Sequence, residues 1–112
     1  MTIEDKANEI AAHMVKNGED KNIVSSPMLI IAIISILIEL FKLWKSCNKT
    51  PKDALQEIHR PGIIVRWMVR RTVRKVLDDE EMEKKYAAKI AQAIMSVKVN
   101  DEEEMVELFS QV

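Results

Sequence analysis

The segment from Met28 to Ile38 holds eleven residues in which only Ser35 is polar, and no rotation of a helix or strand gives it a hydrophilic side. A chain that carries such a segment has to surround it, since an apolar element without a polar face is stable only where every side is kept from water. Glu39 interrupts the run, and Leu40, Phe41, Leu43 and Trp44 prolong it around Lys42. The isoleucines suit a buried strand over the first few positions. Length and the amphipathic tail Glu39–Lys45 favour a helix over 27–46, opened by Ser26 as cap and Pro27 at the first helical position.

Two environments can cover this helix. A membrane needs about 20 apolar residues, and eleven fall short, although 27–44 nearly reaches the lower limit, with Trp44 and Lys45 as anchors at the interface. Protein is the better cover. The chain has only 112 residues, enough for one domain with a modest core, so copies in a homo-oligomer are expected to share the task. The candidate core or interface residues are Met28, Leu29, Ile30, Ile31, Ile33, Ile34, Leu37, Ile38, Phe41 and Trp44.

The remaining sequence reads as helix throughout. With 47% hydrophobic residues, 31% charged, 2 Gly and 3 Pro, it is neither a disordered nor a collagen-like composition. Thr2 with Asp5 caps a helix over 3–16 in which Ile3, Ala7, Ile10 and Met14 share a face, and Gly18 ends it. The polar stretch Glu19–Ser25 reads as a connection. Thr50-Pro51-Lys52-Asp53 opens a short helix carrying Ala54, Leu55 and Ile58, which stops at Arg60-Pro61-Gly62. A fourth helix follows over 62–77, with Val65, Val69, Thr72 and Val76 inward. Asp78 or Asp79 caps a fifth over 80–97, ridged by Tyr86, Ile90, Ile94 and Val97. Asn100 with Glu103 opens a last one, 101–110, burying Met105, Leu108 and Phe109. The expected fold is all-α, a compact bundle of five or six short helices around the central apolar one, forming a single domain over 1–112.

Charge is segregated along this string. Net charge is −1, yet residues 51–77 sum to +5 and residues 78–112 to −6. The basic part peaks in the fourth helix, where Arg66, Arg70 and Arg74 recur every four residues and Arg71 and Lys75 widen the stripe. These five are candidate contacts for phosphate or for an acidic partner, and Trp67 among them can stack a base, meet a membrane surface or fill the core, the core being the expected place. The same arginines can instead bridge to acids on the fifth helix, and the acidic stretch can neutralise the basic one within the fold or on a neighbouring copy.

Little supports catalysis. His13 and His59 lie in different helices without a nearby cysteine, the acidic runs lack the alternation and central glycine of a calcium loop, and two isolated glycines make no phosphate loop. Cys47 is the only cysteine, which excludes an internal disulfide and leaves a semi-buried thiol with no base fixed beside it. No catalytic residue, metal ligand, cofactor or small-molecule substrate is expected. The first residues, with Glu4, Asp5 and Glu9, do not resemble a secretory leader, so a cytoplasmic protein or part of an intracellular assembly, a virus particle included, is expected. The expected function is that of a non-enzymatic structural or interaction protein, homo-oligomeric or an accessory component of a larger assembly, with its own copies or another protein as partner. The rivals are a nucleic-acid accessory protein using 62–77 and a membrane-attached protein using 27–45.

Overall fold

The computed structural model describes residues 1–59, 62–78, 80–96 and 101–112, and of residues 64 and 65 the backbone alone. Seven helices are present among them: α1 (Ile3–Lys16), α2 (Lys21–Val24), α3 (Pro27–Ser46), α4 (Pro51–His59), α5 (Ile63–Leu77), α6 (Glu80–Ser96) and α7 (Glu102–Phe109). They form a compact all-helical bundle with a Cα radius of gyration of 13.1 Å.

Caps fix most boundaries. Thr2 and Asp5 form a reciprocal box at 3.0 Å in both directions. Ser26 accepts from the Leu29 amide ahead of Pro27, and Thr50 and Asp53 repeat the box before α4. The Thr2 amide and hydroxyl hold the Asp5 carboxyl below its ordinary value of 3.8. A depressed carboxyl stabilises the folded chain above the unfolded value, and this contribution is lost as pH falls through the folded one. After α1, Gly18 takes φ +98 and the Glu19 amide returns to the Met14 carbonyl at 3.1 Å, closing the helix as its position suggests.

Three local expectations need correction. The stretch 19–25 contains α2, a single turn capped by Asp20 that inserts Val24 into the core. Asp78 ends α5 in the left-handed region, φ 48, with its amide on the Arg74 carbonyl at 2.8 Å, so it is no cap of the next helix. The N-cap of α7 is Asp101, whose carboxylate accepts from the Glu104 amide at 2.9 Å. Asp79, Val97 and Asn100, also named as caps or core, lie outside the described residues.

The apolar helix α3 is central, as expected, with α1 and α5 along its flanks and α2 at its start. Leu29, Ile33, Leu37, Phe41 and Trp44 are buried, as are Ala32, Ile36 and Leu40, and Ile30, Ile34 and Ile38 are half-buried against the same core. At its end, Phe41 meets Trp44 and Phe109 of α7 at ring separations of 5.7 and 5.6 Å. The Trp44 indole donates to Glu57 of α4 at 2.9 Å, and Glu57 also takes Lys49 at 2.7 Å. One copy thus buries or half-buries most of the apolar side chains of α3, and leaves Glu39, Lys42 and Ser46 exposed. Met28 and Ile31, each 50% exposed, are the candidates left at the surface.

Leu37→Ala is expected to destabilise the fold by about 2–5 kcal/mol, because it empties a site enclosed on all sides, whereas Ile31→Ala should cost under about 1 kcal/mol. Urea unfolding followed by circular dichroism measures both. Asp5→Asn should weaken the fold at neutral pH, with the difference from wild type shrinking as pH drops below 3.8.

Candidate interaction surface on α5

Helix α5 packs on α3 and α6. Met68, Val69, Thr72 and Val73 are buried and Val76 is half-buried, so the inward stripe includes Met68 and Val73 beside the expected Val69, Thr72 and Val76. The Val65 side chain lies outside the described residues. Arg66, Arg70, Arg71, Arg74 and Lys75 are all exposed, and the helix contains no acid to offset them. The structure therefore brings the five sequence-predicted cations together on one solvent face about 14 Å long.

Apolar side chains sit among these cations. Ile63 is 87% exposed and Trp67 56%, which corrects the expected core position for this tryptophan. Trp67 lies three and four positions before Arg70 and Arg71, so helical geometry places it on the arginine side. The Arg71 guanidinium carbon stands 5.4 Å from its ring centroid, a contact worth about 0.5–1 kcal/mol at an exposed site.

Among the described residues Glu83 of α6 forms ion pairs with arginines of this face. Its nearly buried carboxylate takes the Arg70 Nε at 3.6 Å and the Arg74 Nε at 3.8 Å. Both distances are long and both arginines stay about two-thirds exposed, so the bridge to α6 forms as a loose surface pair worth at most about 1 kcal/mol. Shallow clefts flank the stripe. On one side Arg66 and Arg70 border a floor of Ala87, Ala88 and Ala91 from α6. On the other, Arg71 and Lys75 face Ser35 and Glu39 of α3.

Other candidate groups are dispersed. His13 is hydrogen-bonding distance, 3.0 Å, from Asn17. Cys47 is exposed at the end of α3, where the sequence suggested partial burial. Among the described residues no three His, Cys, Asp or Glu side chains gather as a metal site. A feature missed by sequence reasoning is Lys6, 1% exposed, whose ammonium lies 2.9 Å from Glu9 and 2.8 Å from Glu104 and joins α1 to α7. Its place on the Ile3–Ile10 face was the available signal.

No family model, curated protein or solved structure matches the chain.

The two tryptophans should report these environments separately. Trp67→Phe leaves the buried Trp44, with blue-shifted emission and weak acrylamide quenching; Trp44→Phe leaves a red-shifted, readily quenched indole. Equal quenching of both variants, with each folded by circular dichroism, would contradict the exposed position of Trp67.

Proposed function

We propose that the protein is a non-enzymatic interaction protein that assembles with its own copies, or enters a larger assembly, through the cationic face of α5. The observation that carries this reading is the exposed pair Ile63 and Trp67 set among five exposed cations. An apolar centre with an arginine rim has the composition of a protein interface, where tryptophan and arginine supply much of the binding energy. The apolar helix α3 offers a second copy little apolar surface, since Met28 and Ile31 are its exposed large apolar side chains, and α5 is the better supported contact. An intracellular setting, a virus particle included, belongs to the same proposal.

Nucleic acid is the second reading for this face. It is favoured by the open indole of Trp67 beside Arg71, since bases stack on such rings while arginines hold phosphates. Membrane attachment through α3 has less support. The helix is long and apolar enough to cross a bilayer, but its proposed anchor Trp44 is buried and hydrogen-bonded to Glu57.

Light scattering during size exclusion, at micromolar concentration and at low and high salt, tests the proposal. Self-assembly gives a mass above 12.9 kDa, either a fixed multiple or a value that grows with concentration. A monomer throughout overturns it, and salt-sensitive binding of that monomer to a single-stranded oligonucleotide would put the second reading in its place.

A further inference from the structure

We infer that the α5 face receives the acidic face of α7 from a second copy, so that molecules join head to tail. This rests on the self-assembly reading above and names the two surfaces involved. The basic face has more positive charge than its own fold neutralises: among the described residues Glu83 pairs with Arg70 and Arg74 and Glu39 shares a cleft with Arg71 and Lys75, two carboxylates against five cations. Most of the remaining acid lies elsewhere. Helix α7 exposes Glu102, Glu103 and Glu107, and its main packing partner is α4, whereas α5 packs on α3 and α6.

The two faces are complementary in more than sign. Val106, 50% exposed, stands among the α7 carboxylates as Trp67 stands among the α5 cations. Glu103 and Glu107 are four positions apart, the same interval as Arg66 and Arg70, so both charge rows have a spacing of about 6 Å. Of these acids Glu107 is engaged, by the Met1 amino group at 3.1 Å, an exposed pair that costs little to rearrange. Apolar centres seated together would exclude water around the charge pairs and strengthen them. Because the two surfaces differ, each molecule keeps one of each kind free after the first contact. Such an interface closes into a ring or continues as a filament.

Charge inversion separates this geometry from other modes of assembly. Arg66→Glu with Arg71→Glu leaves three cations against two acids on the α5 face and so removes most of its charge, and Glu103→Lys with Glu107→Lys turns the exposed charge of α7 from acidic to weakly basic; none of the four residues belongs to the Glu83 bridge or to the core. Circular dichroism and Trp44 emission verify folding of each. In sedimentation at low salt each variant alone should associate about tenfold or more weakly than wild type. An equimolar mixture should recover association, since each variant supplies the face that the other needs.

If wild type assembles but both variants do so unchanged, the head-to-tail interface is wrong while self-assembly stands. If only the arginine variant is impaired and mixing restores nothing, α5 docks on something other than α7. A wild type that stays monomeric removes the reading beneath both.

Discussion

The arrangement of this molecule follows from the need to cover the apolar sides of α3. A helix this apolar leaves its neighbours little choice of where to put their apolar stripes, and α1 and α5 each commit one to it. Burying each leucine, isoleucine or phenylalanine on this axis stabilises the fold by about 1.5–3 kcal/mol, so the sides of α3 supply much of the core. Phe109 closes the far end against Phe41 and Trp44. The one-turn helix α2 contributes Val24 at the near end, leaving Met28 and Ile31 as a small wet margin. The polar groups of the outer helices then face water because their other sides are taken.

This hierarchy explains which parts could be read in advance. Helix starts were legible because the chemistry that satisfies unpaired amides is local: Thr2 with Asp5, Ser26 with Pro27, Thr50 with Asp53. α2 was not, because four residues are too few to display a period. Asp78 was misread because one acidic residue can serve the end of one helix or the start of the next, and only its backbone angle distinguishes them. The buried ammonium of Lys6 depends on Glu104, which lies near the other end of the chain and is brought there only by the fold.

The surface on α5 was legible in position and misjudged in one member. Four-residue spacing placed the arginines correctly on one side. The same arithmetic put Trp67 with them, yet a large indole is so valuable in a core that size outweighed spacing in the expectation. Its exposure changes the character of the face from a solvated charge row to a mixed surface with an apolar centre. Among the described residues, ion pairing within the fold reaches that surface through Glu83 of α6, with Glu39 of α3 beside Arg71 and Lys75.

The length of α3 has a consequence for motion. Twenty residues of helix extend about 30 Å, and the longest dimension of the whole molecule is 35 Å. The central helix is thus a strut running nearly from end to end, touched by the elements that hold both its extremities. Because Ile33, Ile36 and Leu37 in the middle of α3 are fully buried among its neighbours, freeing them requires α1 and α5 to detach, and their amides should exchange only near the free energy of global unfolding.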